Sequence, residues 1–385
     1  MKTSSKVSSL ILVILSAVFI FGFSAAFFIL PDKEMSENEN RVLSSAPEFS
    51  FDSLVSGKLT EEIKDYFSDQ FPLRGFFINV KGLSELMLGK HENNGIFYDF
   101  EQGYMIDRLN ADFDMVIANL SSLAELNSAL SNKKITVAIA PRKLDALSHL
   151  LPSSVSAASV VSPAQIDEIC RKHSLESVDL YSSLTAASES GDYIYYRTDH
   201  HITTDGAYLI YLALAEKWGF EPYPRDYFTK ETVTDDFYGT TWSASATAGI
   251  SPDEIILWRS TDDEAYTVHI IDNGSEISGF YDLSYLSKKD KYSLFLSGTN
   301  AGVTITKNTD EARPKLLILN DSFANSVVPF LALHFDIEMT DPRFLRSGLY
   351  DKLENGGYDE LLLLMNLDTL SSSDLLATVS VGIPK

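Results

Sequence analysis

The sequence predicts an α/β fold in which a parallel sheet is flanked by helices, with a β-rich insertion, after an N-terminal transmembrane helix. Apolar strand-like runs alternate with amphipathic helical patterns over residues 110–219 and again over 315–365, which is typical of a parallel sheet with helices on its faces. Residues 221–312 differ, because alternating runs rich in Tyr, Thr, Ser and Asp favour β-strands there. An uncharged apolar run near the N-terminus predicts the membrane helix.

These patterns divide the chain into three parts. We expect a transmembrane anchor at 1–30, a juxtamembrane arm and helical segment at 31–90, and the α/β domain at 91–385. The predicted elements are a helical segment at 60–90, short strands at 95–98 and 103–106, a helix at 110–131, a strand at 134–140, a helix at 163–174, a strand at 178–180, a helix at 203–219, a strand at 315–319, a helix at 323–334, and strands at 336–339 and 360–365.

Composition and charge exclude two classes of protein. The chain has 385 residues, with 54 acidic and 31 basic side chains and a formal net charge of −23. A nucleic-acid-binding protein needs a basic surface, so no nucleic-acid partner is expected. A hydrophobic content of 45% excludes a disordered acidic protein. Because Cys170 is the single cysteine, no internal disulfide and no multi-cysteine metal site can form.

The N-terminal apolar run favours a single-pass membrane anchor. Leu10–Leu30 carries no charge and no proline, and it is long enough to cross a bilayer core of about 30 Å. Lys2 and Lys6 precede it, so the N-terminus should stay cytoplasmic and the main domain should be extracellular. Two other interpretations remain open. One is a cleaved signal peptide with a small-residue site at Ser24-Ala25-Ala26, and the other is a buried core helix.

A polar turn at Asn320-Asp321-Ser322 follows a hydrophobic strand and precedes an apolar helical pattern. In an α/β sheet this order puts Ser322 at the carboxyl edge, where ligands bind. A helix N-terminus supplies the free N–H groups that stabilise an oxyanion beside a serine nucleophile. Asp321 and Ser322 could equally be ordinary helix caps.

A second polar segment, Thr198-Asp199-His200-His201, comes immediately before the helix predicted at 203–219. A serine nucleophile needs a general base, and that base needs a carboxylate to hold its tautomer. One loop here could supply both. The same residues also permit a metal site, although no further His or Cys cluster completes one. A solvated polar loop is the third interpretation.

The order of these motifs resembles the DHHW family of Gram-positive surface proteins, which is similar to the alginate O-acetyltransferase group and to SGNH hydrolases. Besides the Asp-His-His loop and Asn-Asp-Ser-Phe, the resemblance includes the segments Glu39-Asn40-Arg41, Asp69-Gln70-Phe71-Pro72-Leu73-Arg74, Gly103-Tyr104-Met105-Ile106, Pro141-Arg142-Lys143 and Phe237-Tyr238-Gly239-Thr240. It implies that Ser322 is the nucleophile, His201 the base and Asp199 its orienting acid.

One position departs from the family's pattern. Ile202 stands where the family has tryptophan, so any stacking of a sugar ring on that aromatic would be lost. His200 is the variable position of the motif.

Other side chains are weaker candidates for contact with substrate or oxyanion. They are Asn325, which follows Ser322 by one helical turn, Arg142 and Lys143 after the strand at 134–140, Arg197, Arg343 and Arg346. For each of them a solvated or structural position is an open alternative. Tyr238 and Trp242 could stack on sugars, although such residues are more often part of the core.

The resemblance implies extracytoplasmic O-acetylation of a cell-surface polysaccharide through an acetyl-enzyme on Ser322, with no cofactor and no metal. Acetyl-CoA is absent outside the cell, so it also implies a membrane-bound acyltransferase partner of the MBOAT type. A carbohydrate O-acetylesterase with the same triad and a non-catalytic glycan-binding surface protein are the alternatives. The charge of −23 favours a neutral or zwitterionic glycan over a strongly anionic one.

Overall fold

The structure is a computed structural model that describes residues 2–36, 39, 41–107, 110–131, 133–151, 160–245, 247–345, 347–377 and 383. Two compact units are formed, one by Met1–Asn93 with Ser243–Ile250 and the other by Asn94–Trp242 with Ser251–Lys385. The domain boundaries expected from the sequence stay a prediction.

The N-terminal unit is mostly helical. Its elements are α1 (Lys2–Ile29), β1 (Met35–Ser36), β2 (Arg41–Val42), α2 (Phe51–Val55), α3 (Lys58–Asp69), α4 (Arg74–Met87) and β3 (Glu92–Asn93). Within α1, Val7–Ile29 has a mean hydropathy of 2.7 and is long enough to cross a membrane. This helix is compatible with a single-pass anchor and with a signal sequence.

Two motif segments of the N-terminal unit bind each other. Arg41 donates from Nη1 to Oδ2 of Asp69 over 2.8 Å, and Arg74 pairs with Glu39. Gln70 donates from Nε2 to the carbonyls of Lys33 and Ser44. The bond to Arg41 is the main reason that the pKa of Asp69 lies well below its usual range. These motif residues therefore fasten the end of α3 to the arm that follows α1.

The larger unit is built around one sheet. The strands of this unit, inside and outside that sheet, are β4 (Ile96–Tyr98), β5 (Met105–Asp107), β6 (Ile135–Ala140), β7 (Glu176–Ser177), β8 (Thr229–Phe237), β9 (Asp253–Arg259), β10 (Tyr266–Ile270), β11 (Ser275–Ser278), β12 (Gly302–Lys307), β13 (Lys315–Asn320), β14 (Asp336–Thr340) and β15 (Glu360–Asn366). The remaining α-helices of the described residues are α5 (Phe113–Ala129), α6 (Lys143–Ala146), α7 (Pro163–Lys172), α8 (Leu180–Glu189), α9 (Thr204–Trp218), α10 (Thr240–Ser245), α11 (Val328–Leu331), α12 (Leu349–Asn355) and α13 (Leu367–Ser372).

The sheet has eight strands in the order β11-β10-β12-β14-β13-β15-β6-β7. Strands β14, β13, β15, β6 and β7 are parallel, whereas β12, β10 and β11 extend the sheet in antiparallel pairing. The segment 221–312 is therefore β-rich, and three of its strands belong to the main sheet. Outside this sheet, β4 pairs with β5 and β8 pairs with β9, both antiparallel.

Both faces of the parallel strands are buried. Leu316 and Ile318 of β13 point into one apolar cluster, and Leu317 and Leu319 point into the other, because successive side chains of a strand alternate between faces. Helices α8 and α9 cover the first face, and α5, α7, α12 and α13 cover the second. The predicted fold class, a parallel sheet flanked by helices after an N-terminal apolar helix, is confirmed.

Two predicted elements differ from the structure. The strand expected at 178–180 lies at Glu176–Ser177, and α8 begins at Leu180, where Asp179 caps its first turn. The helix expected at 323–334 is a 3₁₀ turn, Ser322–Ser326, followed by the short α11. Pro329 lies in the first turn of α11, and because proline is tolerated only at a helix start, it separates the two pieces.

Candidate active site

Ser322 lies directly after β13, an interior strand of the parallel part of the sheet. Asn320 ends the strand, Asp321 is extended, and Ser322 begins the 3₁₀ turn. The Oδ1 atom of Asp321 accepts from the N–H of Phe323 over 2.9 Å, and Oδ2 accepts from the N–H of Asn366 over 2.8 Å. Asp321 thus ties the turn to the end of β15 and fixes the position from which Ser322 projects.

Asp199 and His201 lie in the loop before α9. The backbones of Tyr195 and Ile202 form an isolated antiparallel bridge that closes the loop. The hydroxyl of Thr203 then accepts from the N–H of Gly206 and caps α9. This local structure holds the two polar side chains on the loop that precedes a buried helix.

The three side chains form a continuous line of hydrogen bonds. The Nδ1 atom of His201 is 2.6 Å from Oδ1 of Asp199, and its Nε2 atom is 2.8 Å from Oγ of Ser322. Because a carboxylate only accepts hydrogen bonds, Nδ1 carries the proton and Nε2 can accept from the Ser322 hydroxyl. The structure therefore brings together the residues that the resemblance paired.

Asp199 is buried and fully hydrogen-bonded. Its Oδ1 also accepts from the N–H of His201 over 2.9 Å, and Oδ2 accepts from the N–H and Oγ1 of Thr240 over 2.7 and 3.0 Å. Burial by itself would raise the pKa of Asp199, but the charges of His201 and His200 and these hydrogen bonds hold it well below its usual range. Asp199 is therefore a carboxylate at neutral pH.

Gly239 makes the contact between Asp199 and Thr240 possible. A Cβ atom at this position would lie 2.2 Å from both Cβ and Oδ2 of Asp199, a distance that no real Cβ atom tolerates. Only glycine lets the backbone pass this close to the carboxylate. The sequence showed Gly239 as part of a motif but gave no reason for it.

Tyr292 is a site residue that sequence reasoning missed. Its ring stacks on the imidazole of His201 with centroids 3.7 Å apart and planes 10° apart. Its hydroxyl lies 3.1 Å from the carbonyl oxygen of Ser322 and 3.3 Å from Oγ of Ser326. Burial raises the pKa of Tyr292 far above its usual range, so the phenol stays protonated. One buried side chain thus touches both His201 and the backbone of Ser322.

Lys143 supports the loop that carries Asp199 by binding its backbone carbonyls. Its Nζ atom donates to the carbonyls of Arg197 over 2.7 Å and Asp199 over 3.0 Å, and it is 3% exposed. Burial lowers the pKa of Lys143 to about 8. Its neighbour Arg142 is equally buried and pairs with Asp145 over 2.8 Å.

The remaining sequence-predicted candidates bond to protein groups. Asn325 donates from Nδ2 to the carbonyl of Gly298 over 3.0 Å, Arg197 donates to the carbonyl of Gln102 over 2.8 Å, and Arg343 donates from Nε to Asp341 over 2.9 Å. The Arg197 guanidinium also lies over the ring of Tyr193. Arg346 lies outside the residues that the structure describes.

The loop that Asn325 contacts has an unusual backbone. Leu296 and Ser297 have φ values of 54° and 57°, and Gly298 has a φ of 86°. Two consecutive non-glycine residues in the left-handed region cost free energy, on the order of 1–3 kcal/mol each, and such conformations persist only where the surroundings enforce them. The bond from Asn325 to Gly298 is one of those restraints, and it places this loop beside the 3₁₀ turn of Ser322.

His200 and Ile202 flank the base. The Nδ1 atom of His200 is 2.6 Å from Oγ1 of Thr240, and burial, with the charge of His201, lowers the pKa of His200 to about 3.

Ligand atoms of Asp199, His200 and His201 lie within 4.8 Å of one another, but both ring nitrogens of His201 already face Asp199 and Ser322. Ile202 is fully buried in the core, so its side chain does not face a ligand.

Trp242 and Tyr238 lie close to the carboxylate side of the site. Their rings are 4.8 Å apart, and Lys289 lies 4.4 Å from the centroid of Trp242. The N–H of Trp242 donates to the carbonyl of Thr198 over 2.8 Å. Both rings are half-buried.

Taken together, the geometry can support nucleophilic chemistry at a hydroxyl. Ser322 has a base within hydrogen-bond distance, and that base has an oriented tautomer and a buried counter-charge. Ser322 is also the first residue of its 3₁₀ turn, and the first N–H groups of such a turn have no acceptor within it.

Solved structures share this architecture. A DHHW family protein from Eubacterium siraeum aligns with 76% of this chain and 98% of its own, at 21% identity and a TM-score of 0.61. Bacillus cereus PatB1, solved with a sulfonyl adduct, aligns with 74% of this chain and 98% of its own, at 18% identity and a TM-score of 0.60. Such identities establish similarity of fold.

Among curated protein sequences, none matches the chain. The family model described as DHHW protein matches residues 164–339, a range that contains the Asp199-His200-His201 loop and Ser322. The resemblance to the DHHW family that the motifs predicted is therefore confirmed.

Proposed function

We propose that this protein is an extracytoplasmic, serine-dependent acyltransferase that O-acetylates a cell-surface polysaccharide. The observation that carries the proposal is the line of hydrogen bonds from Asp199 through His201 to Ser322, with separations of 2.6 and 2.8 Å. In this arrangement a serine hydroxyl lies beside an imidazole whose other nitrogen is bound to a buried carboxylate, which is the geometry that activates a serine nucleophile.

In the first half-reaction, Oγ of Ser322 attacks the carbonyl carbon of an acetyl donor. The hydroxyl proton passes to Nε2 of His201, and Asp199 stabilises the imidazolium that forms. When the tetrahedral intermediate collapses, the bond to the leaving group breaks and the imidazolium returns its proton to that group. Ser322 then carries the acetyl ester, and His201 is again neutral.

In the second half-reaction, a sugar hydroxyl takes the place of the leaving group. It loses its proton to Nε2 of His201 and attacks the acetyl carbon, and Oγ of Ser322 leaves with the proton from the imidazolium. The N–H of Ser322 is a candidate donor to the oxyanion in both steps.

The N-terminal helix and the family resemblance support the proposed location and partners. A membrane-anchored domain outside the cell has no access to acetyl-CoA, so a membrane-bound acyltransferase of the MBOAT type would deliver the acetyl group. With a net charge of −23, the domain would repel a strongly anionic polymer, so a neutral or zwitterionic glycan is the proposed acceptor.

Turnover of a chromogenic acetyl ester tests the nucleophile. We expect wild type to hydrolyse the ester slowly and Ser322→Ala to lose that activity, with thermal unfolding showing that the variant is folded. A sulfonyl fluoride should add its sulfonyl group to wild type on the peptide that contains Ser322, as measured by mass spectrometry. Equal turnover by the two proteins, or an adduct on another residue, would disprove the assignment.

The acceptor decides between a transferase and an esterase, because the same triad serves both. Incubation with an acetyl donor and unacetylated glycan should yield acetylated glycan. If acetylated glycan instead loses its acetyl groups to water and none are transferred, the enzyme is a carbohydrate esterase. A chain with neither activity and no sulfonyl adduct would contradict both enzymatic assignments, and glycan binding would then be measured directly.

A further inference from the structure

We propose that helices α3 and α4 form a membrane-docking surface that lies in the outer leaflet of the bilayer beside α1. The docking surface consists of Ile63, Phe67, Phe76, Val80, Leu83 and Met87, all of which are exposed. The inference is independent of the catalytic proposal, because it concerns only the N-terminal unit and depends on α1 being in the membrane.

Helix α4 presents a continuous apolar stripe to its surroundings. Phe76, Val80, Leu83 and Met87 are 60, 43, 42 and 80% exposed, and their spacing of four, three and four residues puts them on one face of the helix. The charged side chain Lys81 lies on a different face and donates to Asn93. A helix surrounded by water would carry polar residues at the stripe positions, so this face has a partner that is apolar.

Aromatic contacts connect the docking surface to α1. The ring of Phe27 stacks on Phe67 with centroids 4.6 Å apart, and Phe23 stacks on Phe71 at 5.3 Å and contacts Phe77 at 5.6 Å. Helices α3 and α4 are therefore at the same level as the last turns of the candidate membrane span, which runs from Val7 to Ile29.

The depth of these contacts fits an interfacial helix. The α1 rings in these contacts are Phe27, Phe23 and Phe19, which packs against Phe77, and they lie two, six and ten residues before the end of α1 at Ile29. At a rise of roughly 1.5 Å per residue this is about 3, 9 and 15 Å along the helix, centred on about 9 Å. Interfacial amphipathic helices bury their apolar face about 5–10 Å into the boundary between headgroups and acyl chains. With Lys2 and Lys6 on the cytoplasmic side, this end of α1 is in the outer leaflet.

Charge favours lipid over a second copy of the chain as the partner. Each copy carries a formal charge of −23, so two copies repel one another, whereas zwitterionic lipid does not oppose the approach. Helix α3 has Glu61, Glu62 and Asp65 close to Ile63, so anionic headgroups should not strengthen binding. Burial of apolar side chains is the driving force.

Site-specific fluorescence in the full-length protein tests the proposal. Ile63→Cys and Val80→Cys would be labelled with a polarity-sensitive dye and reconstituted into phosphatidylcholine vesicles. Glu61→Cys, two residues from Ile63 on the same helix, is the matched control, and Val18→Cys in α1 reports insertion of the anchor. Cys170 should stay unlabelled, because it is buried and burial raises the pKa of its thiol to about 11.

We expect lipids spin-labelled near the headgroup to quench the dyes at positions 63 and 80 several-fold more than the dye at position 61, and aqueous iodide to show the opposite order. Adding anionic lipid should not increase the quenching. Iodide quenching at 63 and 80 equal to that at 61 would overturn the proposal, and so would a dye at position 18 that iodide reaches. Disulfide cross-links between copies at position 80 without lipid quenching would assign the surface to a second copy instead.

Discussion

The ring of Tyr292 lies flat on the imidazole of His201, with centroids 3.7 Å apart, and its hydroxyl contacts the carbonyl of Ser322. Two elements that are distant in the chain thus hold the same buried phenol. The stack restricts rotation of the imidazole about its Cβ–Cγ bond, and the hydroxyl fixes the backbone from which Ser322 projects. Tyr292 is accordingly a positioning residue for the proposed base and nucleophile.

Substitutions at Tyr292 separate the two contacts. Tyr292→Phe keeps the stack and loses the hydroxyl contact, so kcat on an acetyl ester should fall only about threefold, corresponding to a hydrogen bond of roughly 0.5–1 kcal/mol. Tyr292→Leu also loses the stack, worth about 0.5–1.5 kcal/mol, and kcat should fall about tenfold or more with little change in KM. If Tyr292→Leu matches Tyr292→Phe, the stack has no role in positioning.

Gly239→Ala should disturb the contacts of Asp199 in the candidate site and have a limited effect on the rest of the fold. The new Cβ would collide with Asp199, which moves the carboxylate away from His201 or Thr240, so we expect kcat/KM to fall about a hundredfold. Gly191→Ala is the control: Gly191 has a φ of 87°, at which alanine is strained, but a Cβ there would have no neighbour within 4 Å. The control should lower Tm slightly and leave kcat/KM of the folded protein unchanged; a similar loss of activity in both would contradict the role given to Gly239.

Restoring the family's tryptophan at position 202 should destabilise this chain. Ile202 is fully buried, and its Cβ packs beside Gly206 of α9. Overpacking of a core costs about 1–3 kcal/mol or more, so Ile202→Trp should lower the urea midpoint clearly. Ile202→Val should cost only about 0.5–1.5 kcal/mol. An Ile202→Trp protein that is as stable as wild type and binds glycan more tightly would show that the position can face a ligand.

Asp368 should give the stability a distinct pH dependence. Burial, together with Asp107, Asp145 and Asp321, raises the pKa of Asp368 to about 7 despite Arg142, whereas an unfolded Asp has a pKa of about 3.9. Between about pH 4 and pH 7 the folded state therefore holds the proton more tightly, and this group makes the free energy of unfolding fall as pH rises.

The variant Asp368→Asn cannot ionise, so it measures this contribution directly. Relative to wild type it should gain stability progressively from about pH 4 to pH 7 and keep a constant advantage above pH 7. Chemical unfolding of both proteins across this range checks the prediction. Two stability curves that run parallel would show that Asp368 ionises as readily in the folded chain as in the unfolded one.

The sequence predicted the parallel core well, because its signals are local. Strands such as β13 are continuous apolar runs bounded by polar turns, and α5 and α9 have clear helical periodicity and caps. The pairing of β10 and β12 with the main sheet could not be read locally, because an alternating pattern indicates a strand without naming its neighbour.

The residues of the candidate site also divide into those with a local sequence signal and those without one. The Asp199-His200-His201 and Asn320-Asp321-Ser322 motifs were visible, and their side chains do meet, although their catalytic roles stay predictions. Tyr292 and Gly239 had no distinguishing local signal, since their contacts are made only in the folded chain. Lys143 and Asn325 were weaker candidates for contact with substrate or oxyanion. Their polar atoms bond to backbone carbonyls in the structure, and their roles stay predictions.

The hydrogen bond between His201 and Ser322 joins residues 121 positions apart in the chain. During synthesis His201 is made long before Ser322, and until the sheet closes the serine is an ordinary alcohol. The reactivity proposed for Ser322 would therefore be a property of the finished fold alone. Labelling by a sulfonyl fluoride would report the arrival of the native state, and unfolded chains would be protected from premature acetylation.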